Sequence, residues 1–296
     1  MKRLIVLVAG IALLLGAQAR ADVINHARAW ASDNFGPNPP NTVDNWGELD
    51  ASATVDSTAP DLTRARQAAS FAHLDYDNQI QGDVLQLGAT SRVFTNTAVI
   101  QEKATARAYW YDTLRVEPKP GYTAPTQVLV TLELTGSMMV DNTVNGLATG
   151  KVVFNGDAGA TVKLSGYNPL TNPVFTGSWL TQDYTLVSGT NTLSMEFTGT
   201  LVRTLDLVDG AASLSIMLES ESSILQLNNV YKEVGSDFGD TLTIKMINDA
   251  DGNWPKQWTY KFDSGMVPEP ATFVQLAGLA LLGLFGYGWK CRRQRP

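Results

Sequence analysis

Cysteine and histidine are scarce in this chain of 296 residues, and their scarcity excludes several kinds of chemistry. Cys291 is the only cysteine, so no disulfide can stabilise the chain from within. His26 and His73 are the only histidines, which leaves too few ligands for a zinc site of His and Cys. No Gly-x-Ser-x-Gly motif accompanies them, so catalysis by a Ser-His-Asp triad is disfavoured.

Positive charge is also sparse in most of the chain. Charged residues make up 17% of the sequence, and the formal net charge is −7. Residues 22–266 carry 15 basic and 28 acidic side chains, whereas both ends are basic. An acidic body disfavours binding to nucleic acid, and basic apolar ends are typical of membrane targeting. Because 44% of the residues are hydrophobic, we expect a folded core.

The N-terminus has the pattern of a secretory signal peptide. Lys2 and Arg3 precede an apolar run from Leu4 to Ala17, and small residues follow at alternate positions. A charged region, an apolar region and a small-x-small site in this order predict a signal peptide over residues 1–21. Cleavage is expected after Ala21 or after Ala19.

The C-terminus has the pattern of one transmembrane helix. Ala271 to Trp289 forms a run of 19 residues without a formal charge. As a helix this run would be about 28 Å long, close to the thickness of the hydrocarbon layer of a membrane. Residues 290–296 form a basic tail, which the positive-inside rule places on the cytoplasmic side. Its cations are Lys290, Arg292, Arg293 and Arg295.

Pro268, Glu269 and Pro270 stand directly before this predicted helix. The two prolines favour an extended backbone, so the motif should stay outside the membrane. Motif, helix and basic tail together resemble the PEP-CTERM sorting signal of exosortase substrates in Gram-negative bacteria. This resemblance implies that residues 267–296 anchor the chain transiently in the inner membrane. It also implies that an exosortase-type enzyme then releases residues 22–266 to the cell surface or an extracellular polysaccharide matrix. An ordinary single-span protein that keeps its tail is the alternative.

Residues 22–266 predict an all-β body, an antiparallel β-sandwich or a jelly-roll-like fold. Apolar and polar residues alternate in short runs, which is typical of half-buried strands. These runs are Ala108–Val116, Thr126–Thr135, Thr161–Leu164, Thr192–Phe197, Ser213–Glu219, Thr241–Ile247 and Trp258–Phe262. Four dipeptides predict tight turns between strands: Asn145-Gly146, Asn155-Gly156, Asp209-Gly210 and Asp251-Gly252. Residues 62–71 predict either the one helix of the body or a strand of small residues.

Two sets of polar residues are candidates for chemistry in the body. Glu219 and Glu221 should share one face of a strand, as should Asp75 and Asp77, and paired carboxylates can hydrolyse glycosides. The Glu-x-Asp-x-x-Glu pattern of jelly-roll glycanases is missing, so a solvated face is favoured. Oxygen-bearing side chains in a short loop are a weak candidate for calcium, but Asp251-Gly252 explains the loop as a hairpin, so no cofactor is expected. These side chains are Asn248, Asp249, Asp251 and Asn253.

Aromatic side chains alternate at Trp258, Tyr260 and Phe262. Such a row either lines the core of a sandwich, which is the favoured interpretation, or stacks on sugars as an exposed platform. The sequence therefore predicts a secreted structural or adhesive protein of the surface or matrix, without catalytic activity. A carbohydrate-binding module is the alternative, and a secreted glycan hydrolase is the least favoured one.

Overall fold

The computed structural model of the chain describes residues 27–35, 42–47, 50–58, 64–73, 85–96, 100–166, 171–226 and 231–263. In these segments no helix is long and apolar enough to cross a membrane. Several predictions concern residues outside them. These are the signal peptide with Ala19 and Ala21, the motif Pro268 to Pro270, the apolar run 271–289, the basic tail 290–296, and the pair Asp75 and Asp77.

The described segments form fifteen β-strands and no α-helix. The strands are β1 (Ala27–Phe35), β2 (Thr42–Gly47), β3 (Asp50–Thr58), β4 (Arg64–His73), β5 (Gln86–Thr95), β6 (Ile100–Pro118), β7 (Gln127–Asp141), β8 (Asn145–Phe154), β9 (Asp157–Ser165), β10 (Val174–Gly177), β11 (Trp179–Ser188), β12 (Thr192–Asp206), β13 (Ala211–Gln226), β14 (Lys232–Asn248) and β15 (Trp258–Phe262). Most extend beyond the runs predicted from the sequence, because pairing with neighbouring strands continues past the strictly alternating residues.

The strands form two antiparallel sheets that pack face to face. Sheet 1 has the order β10-β9-β8-β13-β6-β1-β2, and β15 pairs with β6 beyond the end of β1. Sheet 2 has the order β11-β12-β7-β14-β5-β4-β3. The predicted antiparallel β-sandwich is therefore confirmed for the described residues.

Eight central strands have the pairing of a jelly roll, in which one long hairpin folds so that successive pairs alternate between sheets. The pairs β5·β14 and β7·β12 belong to sheet 2. The pairs β6·β13 and β8·β9 belong to sheet 1. The remaining strands widen the sandwich, with β1 to β4 at one end and β10 and β11 at the other.

Alternation along the strands places the core between the sheets. The predicted inward residues of β7 and β13 are all buried, which confirms both sets: Val128, Val130, Leu132 and Leu134, and Leu214, Ile216 and Leu218. Burial of one such side chain contributes about 1.5–3 kcal/mol. Phe238 of β14 fills a space left by two glycines, because a Cβ at Gly136 or Gly150 would lie only 2.4 or 2.3 Å from its ring.

The interior also contains buried serines that join the two sheets. Ser91 Oγ on β5 lies 2.8 Å from Ser220 Oγ and 2.9 Å from Ser222 Oγ, both on β13. Ser220 Oγ donates to the carbonyl oxygen of Ser236 on β14 at 2.9 Å. These hydrogen bonds offset the cost of burying hydroxyl groups between sheets.

Two local predictions need correction and two are confirmed. Residues 64–71 belong to β4, so the helix interpretation of Leu62–Phe71 is wrong over that range; pairing with β3 and β5 outweighs local propensity. Asn145-Gly146 begins β8 instead of forming a turn, and Gly146 faces the core, where a Cβ would meet Val234 at 2.7 Å. Turns with positive φ occur as predicted at Asn155-Gly156 and Asp209-Gly210.

The turn at Asp251-Gly252 is present, but it does not close a hairpin. Gly252 has a φ of +68°, and the loop carries the chain from β14 in sheet 2 to β15 in sheet 1. A glycine turn signal predicts a reversal of the backbone, but it does not determine which strands lie on either side.

Candidate functional site

The outer face of sheet 2 carries a depression, which we call the sheet-2 groove; its smaller part is mainly polar, and its larger part is mainly apolar with polar groups between. Two adjoining cavities of about 670 and 530 Å³ form it, and both are lined by Ser137, Glu196 and Asp237. The larger cavity extends across β5, β4 and β3, and the smaller one reaches the edge strand β11. These volumes are in the usual range of ligand-binding clefts.

Strand register aligns side chains across the groove floor. Asp237 of β14 pairs with Ser137 of β7, which in turn pairs with Glu196 of β12. The row continues to Thr90 on β5 and Thr185 on β11. Because neighbouring strands are about 4.8 Å apart, the floor presents a carboxylate or a hydroxyl about every 5 Å. Asp237 and Glu196 are thus two strand spacings apart, with the Ser137 position between them.

Three exposed carboxylates of the groove, those of Asp183, Glu196 and Asp237, form no ion pair with any described residue. Asp237 accepts a hydrogen bond from the backbone N–H of Gly239 at 3.0 Å. None of the described residues that line the smaller cavity is basic. This part of the groove is therefore negatively charged.

Charge is balanced at the β5 end of the groove. Arg92 donates to Glu233, and this hydrogen bond raises the pKa of the guanidinium above its ordinary value. Tyr231 also donates to Glu233, with its Oη 2.8 Å from Oε2. Burial, and then the bond to Glu233, raises the pKa of the Tyr231 hydroxyl. This end therefore offers paired groups, in contrast to the acidic centre.

Aromatic rings in the lining of the groove pack away from its floor. Phe197 is buried in the core, and the Tyr184 ring lies 5.2 Å from the ring of Phe175. The floor residues instead offer hydroxyl, amide and carboxylate groups, as at Thr54, Gln67 and Ser194. The groove floor can therefore bind a polar ligand by hydrogen bonds and charge, and the 48% exposed ring of Tyr184 lies at its β11 edge.

The acids predicted from the sequence lie elsewhere. Glu219 and Glu221 share one face of β13, as predicted, but this is the outer face of sheet 1. Glu219 forms an ion pair with Arg107, and Glu221 lies 2.7 Å from Nζ of Lys103. Both acids thus have a structural partner, and neither lines the sheet-2 groove. That they have no catalytic role, as the sequence favours, stays a prediction.

The loop proposed for calcium is held together by its own hydrogen bonds. Asp249 accepts the backbone N–H of Asn253 at 2.8 Å through Oδ1 and the indole N–H of Trp258 at 3.0 Å through Oδ2. Burial opposes ionisation of Asp249, but these donors outweigh it and lower its pKa. Asn248 accepts the backbone N–H of Trp254 at 3.0 Å, and Asp251 is exposed. In the described part of the chain, no three His, Cys, Asp or Glu side chains are grouped as for a metal ion, and the expectation that no calcium binds stays a prediction.

The aromatic row of β15 belongs to the core. Trp258 and Phe262 are 1% and 6% exposed, and the half-buried ring of Tyr260 lies 5.9 Å from that of Phe262. Burial raises the pKa of Tyr260 to about 12. The core interpretation is confirmed, and the row provides no platform for sugars.

The sequence analysis missed the sheet-2 groove. Its floor residues do occupy alternate positions, such as Thr135 and Ser137 on β7 and Ser194 and Glu196 on β12. Alternation shows that these residues face outward, but it does not show that the two strands are neighbours. Only the order of the strands brings them together.

Comparisons with known proteins give no family for the chain. No protein-family model matches it, and no curated protein matches it. Its function is therefore inferred from its own residues and geometry.

Proposed function

We propose that the chain is an exported, non-catalytic protein of the cell surface or the extracellular polysaccharide matrix. Residues 1–21 direct export, and residues 267–296 hold the body at the inner membrane. An exosortase-type enzyme recognises Pro268, Glu269 and Pro270 and releases the body. One observation carries the proposal: the sequence has the pattern of a signal peptide at one end and a Pro-Glu-Pro motif, an apolar run and a basic tail at the other.

The two ends support the same orientation. A signal peptide delivers residue 22 and those after it to the outer side of the membrane, and a basic tail stays inside. The body has no cysteine, so its folding does not depend on an oxidising compartment. Paired strands and a continuous core suit a structural or adhesive role after release.

Intact mass of the protein from its producing cells tests this proposal. We expect a mature chain that lacks residues 1–21 and ends near residue 268. Replacement of Pro268, Glu269 and Pro270 by Ala should leave the tail in place and keep the protein in the membrane fraction. Ser264→Ala, just upstream, is the matched control. Retention through Pro296 in the wild type, or normal processing of the triple variant, contradicts the proposal.

The sheet-2 groove favours a second function for the body, which is to bind an extended polysaccharide. Its floor alternates hydroxyl and carboxylate groups across neighbouring strands, and these can donate to and accept from sugar hydroxyls. Because the centre of the groove is acidic, a neutral or amine-bearing polymer suits it better than an acidic one.

A panel of neutral, amine-bearing and acidic polysaccharides, presented to the full chain, tests this second function. We expect saturable binding to a neutral or amine-bearing polymer, with no release of reducing ends. Absence of binding to every polymer contradicts it. Turnover that disappears in Glu219→Gln would instead support the hydrolase alternative.

A further inference from the structure

Strand β11 is an edge strand of ten residues, and one of its two sides is paired. It pairs with β12 over nearly its whole length. The other edge strands of the two sheets are shorter, and β10 at the neighbouring edge of sheet 1 has only four residues. Among the described strands, β11 therefore presents the longest free edge.

The hydrogen-bond pattern shows which backbone groups point outward. The N–H of Gly189 donates to the carbonyl oxygen of Thr192 at 2.7 Å, and this pair closes the β11–β12 hairpin. Hydrogen-bonded pairs alternate along an antiparallel ladder, so Thr185 and Asp183 direct their backbone groups toward β12. The N–H and C=O groups of Gln182 and Tyr184 then point away from the sheet, as do those of Leu186. No described residue accepts or donates a backbone hydrogen bond there.

Beyond the bulge between Trp179 and Thr181, this edge lacks the basic residues and prolines that usually prevent strand addition. Residues 179–188 contain no Lys, Arg or Pro. They contain three of the exposed large hydrophobic side chains: Leu180 is 66% exposed, Tyr184 48% and Val187 58%. An unprotected edge with exposed apolar side chains is a template for another β-strand.

We propose that β11 is a dimerisation edge, which pairs antiparallel with β11 of a second copy of this chain about a two-fold axis at Tyr184. In this register Tyr184 faces its own equivalent, Gln182 faces Leu186, and Asp183 faces Thr185. The outward groups of Gln182, Tyr184 and Leu186 then form about six backbone hydrogen bonds across the interface.

Self-complementarity selects a second copy as the occupant. When β11 pairs with its own copy about a two-fold axis at a residue, even-numbered residues face even-numbered ones and odd-numbered residues face odd-numbered ones. Each side chain therefore meets a side chain on the same face of the sheet. If the two-fold axis lay at Asp183 instead of Tyr184, each Asp183 would face its equivalent in the other copy. Repulsion between these like charges disfavours that register. The interface is isologous and closes on itself, so it gives a finite dimer and not a fibre.

The pairing also extends the sheet-2 groove. Asp183 and Thr185 line the smaller cavity at the β11 edge, so the grooves of two copies meet at the interface. The two seven-stranded sheets become one continuous sheet across the dimer. This dimer forms whether or not the chain is exported, so it can be tested separately from sorting.

Mass measurement by light scattering on the full chain, solubilised in detergent, tests the dimer. We expect a dimer at micromolar concentration. Gln182→Pro removes an outward N–H and leaves the ladder to β12 intact, so it should give a monomer that remains folded. Leu180→Lys should also weaken the dimer at least tenfold. Val208→Lys is the matched control, because Val208 is also exposed, at 74%, and lies beside the turn at Asp209-Gly210, outside β11.

Cross-linking tests the register. In a Cys291→Ser background, Tyr184→Cys should form a disulfide-linked dimer on mild oxidation, because hydrogen-bonded partners have Cα atoms about 5.5 Å apart. Gln182→Cys should not, since its equivalents would lie four residues apart along the strand. A wild-type monomer at all concentrations, a dimer unaffected by Gln182→Pro and Leu180→Lys, or cross-linking through Gln182→Cys instead of Tyr184→Cys overturns the proposal.

Discussion

The outer face of sheet 1 and the centre of the sheet-2 groove place acidic side chains in different surroundings. On sheet 1, Glu219 and Glu221 pair with Arg107 and Lys103, and Glu117 of β6 pairs with Lys261 of β15. On sheet 2, Asp183, Glu196 and Asp237 lie in the groove without a cationic partner among the described residues. The acids of sheet 1 stabilise strand pairing, whereas those of the groove are available to a ligand.

This difference bears on function because like charges that have no cationic partner repel one another and lower stability. Asp237 and Glu196 flank Ser137 in one row, two strand spacings apart, and no cation among the described residues forms an ion pair with either of them. Cross-strand ion pairs of the kind seen on sheet 1 would remove that cost. An uncompensated acidic row in a concave surface is therefore expected where binding matters more than stability.

The largest expected effect comes from adding a cation to the groove floor. Ser137→Arg fills the centre of the floor and places a guanidinium between Asp237 and Glu196. We expect polysaccharide affinity to fall at least thirtyfold, which is about 2 kcal/mol, while the melting temperature is kept or raised. Titration calorimetry with the polymer found in the panel measures the affinity.

Ser215→Arg is the matched control on the outer face of sheet 1. Ser215 is exposed on β13, and the same substitution there should leave affinity unchanged. Equal losses in both variants would show that binding does not occur in the sheet-2 groove.

The loop between the sheets offers a third environment, in which an acid is held by neutral donors. Asp249→Asn replaces one acceptor oxygen by an N–H donor that faces the donors of Trp258 or Asn253. We therefore expect the free energy of unfolding to fall by about 1.5 kcal/mol. The pKa of Asp249 in the folded protein lies below its ordinary value of 3.8. The ionised carboxylate therefore makes its full contribution to stability at pH values above 3.8. The contribution is lost as pH falls through the lowered pKa.

Urea unfolding of the wild type and Asp249→Asn at pH 6 and at pH 2.5 measures this contribution. The difference in unfolding free energy should be smaller at the lower pH. Asp251→Asn, in the same loop but exposed, should have no effect at either pH. A pH-independent difference would mean that charge on Asp249 contributes nothing.

The sequence predicts the sandwich because alternation is a local signal. The inward sets around Leu132 and Ile216, and the turn at Asn155-Gly156, could be assigned from neighbouring residues alone. The groove depends on β14, β7 and β12 being neighbours, and the sequence gives no strand order. Glu219 and Glu221 were visible as a pair, but their partners on β6 lie more than a hundred residues away.

A smaller effect should appear when a paired acid on sheet 1 is neutralised. Glu219→Gln removes the charge that Arg107 contacts, and the pair is partly exposed. Solvent screening limits such pairs, so we expect a loss of about 0.5–1 kcal/mol in unfolding free energy. Glu196→Gln, in the groove, should leave stability unchanged or slightly raise it. Thermal or urea unfolding compares the two, and a larger loss in Glu196→Gln would contradict the contrast between the faces.

Added salt should reduce both of these changes in unfolding free energy, and this is the smallest of the expected effects. Raising NaCl from 0.1 M to 1 M shortens the screening length from about 10 Å to about 3 Å. The penalty of Glu219→Gln should then shrink, because the attraction to Arg107 in the wild type is weakened. Any gain in Glu196→Gln should shrink as well, because the repulsion from Asp237 that it relieves is weakened too. As salt is added, the unfolding free energy of Glu219→Gln should approach that of the wild type from below, and that of Glu196→Gln from above. Changes of the same sign in both variants would mean that the two acids lie in equivalent surroundings.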